Sequence, residues 1–153
     1  MERMINAVKY FEEGYACSQA VALAFSDLVE LDEDTIKKIA LPFGGGFGRL
    51  REVCGAVSGM GMIVGIIFAK TDVDNKLEVY NIVQELANRF KARRCSINCG
   101  ELLKKASVDP TPGGAPDKRT PEYYIKRPCS RVVWDATEIL KEYLIEQNII
   151  KNS

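Results

Sequence analysis

The chain has 153 residues with 21 basic and 21 acidic side chains, so its formal net charge is zero and its length suits a single domain over 1–153. No run is strongly basic, which disfavours binding to nucleic acid. Histidine is absent, which excludes Ser–His–Asp triads, Cys–His nucleophile pairs and metal sites that need imidazole.

The first third of the chain predicts three helices and a glycine-rich loop. Apolar residues at helical spacing predict an amphipathic helix over 2–13 and a second over about 17–29. Asp32 is a good N-cap for a third helix, which Pro42 ends. The glycine-rich loop follows directly.

A buried central helix is predicted over 53–69, where no residue is charged. Its glycines carry a helix-propensity cost, which close packing of another helix or of a cofactor against the backbone would offset. The segment is shorter than the roughly 20 residues that cross a bilayer. We therefore expect no membrane span.

The second half predicts three further helices and one long loop. Asp72 or Asp74 caps a long amphipathic helix that runs to about residue 93, and Asn98 caps a short helix. Five of the six prolines lie between 106 and 128, which predicts a proline-rich loop of the kind that often covers a site.

A last helix is predicted over 128–147. Its spacing does not decide whether Trp134 and Tyr143 face the core or a second copy, so a homo-oligomer stays open. No stretch shows sustained strand alternation. We expect an all-α fold, a compact bundle of about six to seven helices around the buried glycine-rich helix.

Four of the five cysteines stand near the start of a predicted helix, at the head of its apolar stripe. If those helix ends converge, four thiolates meet in one electropositive place of low dielectric, as an iron–sulfur cluster or a tetrathiolate metal needs. Any one of them alone is more often a core residue than a ligand, and there is no Cys-x-x-Cys pair. The candidate metal ligands are Cys17, Cys54, Cys99 and Cys129, with Cys95 as a spare thiol or an occasional redox partner.

Cys54 lies where the glycine loop becomes the central helix, and a helix start stabilises a thiolate. Bare backbone N–H groups of the loop could approach a sulfur site, so we expect cofactor contacts from Gly44, Gly45, Gly46 and Gly55. A tight turn between two helices is the alternative. Nucleotide binding is disfavoured, because the loop follows a helix and is no phosphate-binding fingerprint.

The order of five segments carries a family resemblance: ACSQAV around Cys17, then FGGGFG, CGAVSG from Cys54, SINCGELL around Cys99 and CSRVVWDATEIL from Cys129. This order resembles the C_GCAxxG_C_C family, whose members are described as redox-active proteins. The resemblance spans nearly the whole chain and implies that the four named cysteines are the family's cysteines. It also implies a metal or iron–sulfur centre, and it gives Cys95 no counterpart.

Three functions are consistent with these residues. The first is a redox protein whose four cysteines bind an iron–sulfur cluster, such as 2Fe–2S, and pass electrons to an unknown redox partner. The second is a metal-free thiol–disulfide enzyme or sensor, with Cys54 as the attacking thiolate beside Arg49 and Arg51. The third is a helical module whose cysteines only pack.

The cellular compartment is also predicted from the sequence. The first residues carry charges where a signal peptide has an apolar core, and the number of cysteines is odd. We therefore expect a cytoplasmic protein.

Overall fold

The computed structural model describes residues 1–151, so Asn152 and Ser153 of the predicted domain lie outside the described part. Eight regular α-helices lie within it, and no strand, only an isolated bridge between Val53 and Asn98. The helices are α1 (Glu2–Glu12), α2 (Cys17–Leu23), α3 (Glu33–Ala40), α4 (Gly55–Phe68), α5 (Lys76–Arg94), α6 (Cys99–Lys105), α7 (Pro121–Lys126) and α8 (Cys129–Glu146). The predicted all-α fold is confirmed.

Two helix starts follow the predicted caps. The Asp32 carboxylate accepts a hydrogen bond from the Thr35 N–H at 2.6 Å, and the Asn98 amide oxygen accepts from the Glu101 N–H at 2.9 Å. Each side chain satisfies a backbone donor that the first turn of a helix leaves free.

The predicted cap of α5 is wrong, because the helix begins one residue after Asn75 and not at an aspartate. The Asp72 carboxylate accepts instead from the Asp74 N–H at 3.0 Å, closing a local turn. The Asn75 side chain bridges the end of α4, donating to the Phe68 carbonyl at 2.8 Å. Short polar side chains stabilise such turns as readily as helix starts.

Helix α4 is the centre of the bundle and packs mainly against α2 and α5, while α1 packs along α8. A Cβ at Gly59 would lie 2.9 Å from the Ser18 carbonyl oxygen, so this glycine lets α2 approach the backbone of α4. Gly61 faces open space. Within residues 1–151, no helix combines the length and the apolar character needed to cross a bilayer.

Among the described residues, the core is formed by apolar side chains from seven helices and the segment after α2. Tyr143 of α8 belongs to it: the ring is buried and lies edge-on to Phe68, with centroids 6.1 Å apart. Trp134 is half-buried. The fully buried large residues include Phe11, Leu23, Phe25, Met60, Ile63, Leu86, Phe90, Ile139, Leu140 and Leu144.

Two segments differ from the prediction. The second helix ends at Leu23 and continues as the 3₁₀ turn Ser26–Leu28. The proline-rich segment contains α7, where the Thr120 side chain accepts from the Tyr123 N–H and Pro121 takes the first helical position. Proline is favoured there because its missing N–H has no helical partner to lose.

Candidate functional site

The four cysteines at helix starts line one cavity of about 340 Å³. Cys17 opens α2, Cys54 is the N-cap of α4, Cys99 opens α6 and Cys129 opens α8. The starts of four helices therefore meet here, which is the condition under which the sequence pattern allowed the four thiols to share one site. Cys95 ends α5 instead; it is exposed and lies 3.1 Å from the Lys105 ammonium.

Two of these thiols form a pair. Cys17 and Cys54 are neighbouring thiols, and a thiol–thiol hydrogen-bonding interaction is the largest influence on the pKa of each. A Cβ at Gly55 would lie 2.5 Å from the Cys17 sulfur, so the absence of a side chain there lets Cys17 rest against the start of α4. Cys17 is half-buried, and Cys54 is buried below it.

The hydrogen bond from Cys54 is the main cause that lowers the pKa of Cys17 to about 6. Burial opposes this shift, whereas the backbone N–H groups of Gly45 and Ser18 and the charge of Arg119 add to it. For Cys54, the same hydrogen bond and its burial raise the pKa well above the ordinary value. At neutral pH the pair therefore holds a thiolate on Cys17 and a proton on Cys54.

The other two cavity thiols are neutral at neutral pH. Burial raises the pKa of Cys99, although Arg51 Nη1 donates to its sulfur at 3.7 Å and opposes the shift. Burial, together with the charge of Cys17, raises the pKa of Cys129 to about 12. The cavity thus contains one thiol whose pKa is lowered and three whose pKa is raised.

A metal ion or an iron–sulfur cluster would need several of these sulfurs turned toward one centre. Across residues 1–151, no three Cys, Asp or Glu side chains are arranged to hold a metal ion. The side chains as placed do not form such a ligand set. Among the four thiols, Cys17 and Cys54 are the pair whose pKa values are coupled to each other.

The glycines predicted to contact a cofactor take two positions. Gly44 and Gly45 line the cavity, and the Gly45 N–H is one of the donors that reach Cys17. Gly46 and Gly55 instead lie behind the cysteines: a Cβ on Gly46 would be 2.6 Å from the Cβ of Cys99. Because Gly46 also has φ +74, a side chain at this position is excluded by both space and conformation.

The glycine loop continues as a run of left-handed backbone. The three non-glycine residues Phe47, Arg49 and Arg51 have φ values of 69, 65 and 63. The left-handed conformation of a non-glycine residue costs of order 1–3 kcal/mol and persists only where surrounding contacts stabilise it. Backbone hydrogen bonds do so here, including Glu52 N–H to Gly46 O at 2.8 Å and Arg51 N–H to Gly45 O at 3.2 Å.

Arginines surround the thiols. Arg49, Arg51, Arg119 and Arg127 line the cavity with one carboxylate, that of Asp117. Arg119 is fixed by donation to the Phe11 and Tyr15 carbonyls at 3.0 and 3.1 Å, and its guanidinium lies 4.4 Å from the Phe11 ring centroid. The cavity wall therefore carries more positive than negative side chains.

Asp117 joins the proline-rich segment to the glycine loop. Its carboxylate accepts from Arg49 at 3.0 Å and from Arg127, and Arg49 also donates to the Gly113 carbonyl. Burial acts to raise the pKa of Asp117, but the hydrogen bond from Arg49 and the charges of Arg127 and Arg51 outweigh it and hold that pKa below its ordinary value. The proline-rich segment is thus held as one wall of the cavity.

Sequence reasoning missed Asp117, Arg119 and Arg127, because they lie in the segment predicted as loop. One signal was present: RTPEYYIKR at 119–127 sets arginines on both sides of two tyrosines. Arg119 and Arg127 do stack on Tyr123, at 4.8 and 4.4 Å from its ring centroid. Such stacking fixes a guanidinium in place while leaving N–H groups available.

Comparison with known proteins gives one family match. The model of the family described as "Putative redox-active protein (C_GCAxxG_C_C)" matches residues 15–143. No curated protein and no solved structure matches the chain. The matched range includes all four cavity cysteines.

Proposed function

The chain belongs to the C_GCAxxG_C_C family of redox-active proteins, and we propose that Cys17 and Cys54 act as its redox pair by cycling between dithiol and disulfide. The observation that carries this proposal is the placement of the two thiols side by side in the cavity, where the Cys17 sulfur rests against Gly55, the residue after Cys54, and the interaction with Cys54 lowers the pKa of Cys17. The thiolate is the form that attacks disulfides.

Exposure and charge support different roles for the two thiols. Cys17 is half-buried in the cavity wall and carries the negative charge, which suits the attacking sulfur. Cys54 is buried and protonated, which suits the resolving sulfur. The sequence pattern alone favoured Cys54 for attack; the contacts in the folded chain favour Cys17.

The proposed reaction is the reduction of a small disulfide. The Cys17 thiolate attacks one sulfur of the substrate, the substrate S–S bond breaks, and one substrate thiolate leaves as a mixed disulfide forms. Cys54 then attacks the Cys17 sulfur and expels the second substrate thiolate. The proton that Cys54 releases is taken up by the first substrate thiolate. The substrate gains two electrons and the one proton of Cys54 from the protein, which is left with the Cys17–Cys54 disulfide, and the second product leaves as a thiolate that takes its proton from solvent.

Trapping the intermediates tests this order. After reaction with a small disulfide, the wild-type protein should contain one internal disulfide, identified by alkylation and peptide mass mapping. Cys54→Ser should stop at a stable mixed disulfide on Cys17, and Cys17→Ser should form neither species. Cys95→Ser, outside the cavity, should behave as wild type.

Two results would count against the pair. One is an internal disulfide that still forms in Cys17→Ser at the wild-type rate. The other is a mixed disulfide in Cys54→Ser that maps to a cysteine other than Cys17.

An iron–sulfur cluster is the second candidate, because all four thiols line one cavity together with the Gly45 N–H and four arginines. Bound by Cys17, Cys54, Cys99 and Cys129, a cluster would supply one-electron transfer to a redox partner. Anaerobic reconstitution with iron and sulfide, read by visible absorbance, separates the two functions. Cys129→Ser should abolish a four-cysteine cluster but leave the Cys17–Cys54 disulfide intact.

A further inference from the structure

Arg51 is a buried charge with an unused hydrogen-bonding edge. Its side chain is 6% exposed, and Nε and Nη2 have no hydrogen-bond partner among the described residues. Nη1 points to the Cys99 sulfur, and the nearest carboxylate oxygen, of Asp117, is 3.9 Å from Nη2, beyond hydrogen-bond distance. Leaving buried donors of a charged group unpaired is costly.

The unused edge has a defined geometry. Nε–H and Nη2–H of a guanidinium point in parallel, and this fork matches the two oxygens of a carboxylate or the oxygens of a phosphate. Since Arg51 lines the cavity, a ligand there could supply both oxygens. We propose that the cavity binds the oxyanion group of a small molecule through Arg51.

The surrounding charges agree with an anionic ligand. Four arginines and one aspartate line the cavity, which leaves three positive side chains in excess, or two when Cys17 is a thiolate. Asp117 is already engaged by Arg49 and Arg127. Its carboxylate therefore does not supply the missing partner of Arg51.

Size and chemistry narrow the ligand class. A cavity of about 340 Å³ lies in the size range of small-molecule pockets. The substrate class follows if this anion site is combined with the proposed function, on which it rests. The substrate is then a small disulfide that bears a carboxylate or phosphate. Arg51 binds the anion, and Cys17 attacks the sulfur.

Three disulfides of similar length and different charge test this substrate class: dithiodiglycolate (anionic), 2-hydroxyethyl disulfide (neutral) and cystamine (cationic). Each rate is divided by the rate of the same disulfide with a free small thiolate, which removes its intrinsic reactivity. The wild-type protein should prefer the anionic over the neutral disulfide by about 10- to 100-fold, as expected for a charge-assisted hydrogen-bonded pair. Cystamine should react slowest.

Substitutions at Arg51 test the named residue. Arg51→Met should bring the anionic-to-neutral ratio close to one. Arg51→Lys keeps the positive charge but loses the paired N–H donors of the guanidinium. Its anionic-to-neutral ratio should therefore fall between those of the wild-type protein and Arg51→Met. Arg131→Met removes an exposed arginine that is not part of the cavity lining and should leave the ratio unchanged.

Adipate, a dicarboxylate without sulfur, separates this inference from the redox proposal. It resembles dithiodiglycolate in length, and calorimetry should show that it binds the wild-type protein and binds Arg51→Met about 10- to 100-fold more weakly. If adipate binds but no disulfide reacts, the anion site stands and the redox pair fails. If the three disulfides react equally and adipate does not bind, the anion site is refuted and the redox pair stands.

Discussion

Cys17 depends on its neighbours for its acidity. The first of these is Cys54, whose thiol contributes most to lowering the pKa of Cys17, and the Gly45 and Ser18 N–H groups add to its effect. Sequence reasoning could place both cysteines at helix starts. It could not tell which of them carries the charge, because that depends on burial and on which thiol donates.

The pH dependence of alkylation tests the acidity of Cys17. Because its pKa is lowered to about 6, the thiolate is present above that pH and is lost below it. The rate of iodoacetamide modification at Cys17, followed by mass spectrometry, should therefore rise through a midpoint near pH 6 and level off by neutral pH.

The matched variant is Cys54→Ala, which removes the main cause of the shift and should move the midpoint upward. A wild-type midpoint near pH 9, the ordinary pKa of a thiol, would show that Cys54 does not lower the pKa of Cys17.

At the scale of elements, the start of α4 is shaped by its first residue. A methyl group at Gly55 would meet the Cys17 sulfur at 2.5 Å and the Phe43 carbonyl oxygen at 2.8 Å. Gly55→Ala should therefore lower the free energy of unfolding by about 1–3 kcal/mol, the usual cost of overpacking. Denaturant titration measures it.

Gly61→Ala is the control in the same helix, since nothing lies within 4 Å of the added Cβ. It should stabilise the protein by up to about 1 kcal/mol through helix propensity. Equal effects from the two substitutions would mean that the Cys17 sulfur does not rest on residue 55.

The helices differ in how far the sequence could predict them. The caps at Asp32 and Asn98 follow from local chemistry, because each side chain bonds a donor three residues ahead. The start of α5 was missed because Asn75 serves the preceding turn. Helix α7 was missed because the prolines around it read as a loop, although one of them opens the helix.

At the scale of the molecule, oxidation of the pair would connect two helices. A Cys17–Cys54 disulfide would close a loop of about 37 residues, and chain entropy predicts a stabilisation of about 4 kcal/mol. The oxidised protein should therefore unfold at higher denaturant concentration than the reduced protein. Cys54→Ser should show no such difference between oxidising and reducing conditions.

A fully oxidised protein that unfolds at the same midpoint as the reduced one would contradict this expectation. It would indicate that the disulfide strains the folded state by as much as it restricts the unfolded chain.

The candidate site could be predicted in part. The thiols were found because cysteines at helix starts leave a pattern within each segment. The arginines that line the cavity were not predicted. Arg119, for example, donates to the carbonyls of Phe11 and Tyr15, which lie 108 and 104 residues earlier in the chain. No local pattern encodes such a distance.

The wall formed by the proline-rich segment also separates two roles of the cavity arginines. Asp117 holds it to Arg49 and Arg127, beside the cavity that Arg51 enters. Arg51 would contact a bound anion directly, whereas Arg49 and Arg127 fix the position of the wall through Asp117. Contact with the anion and placement of the cavity wall are thereby assigned to different arginines of the same cavity.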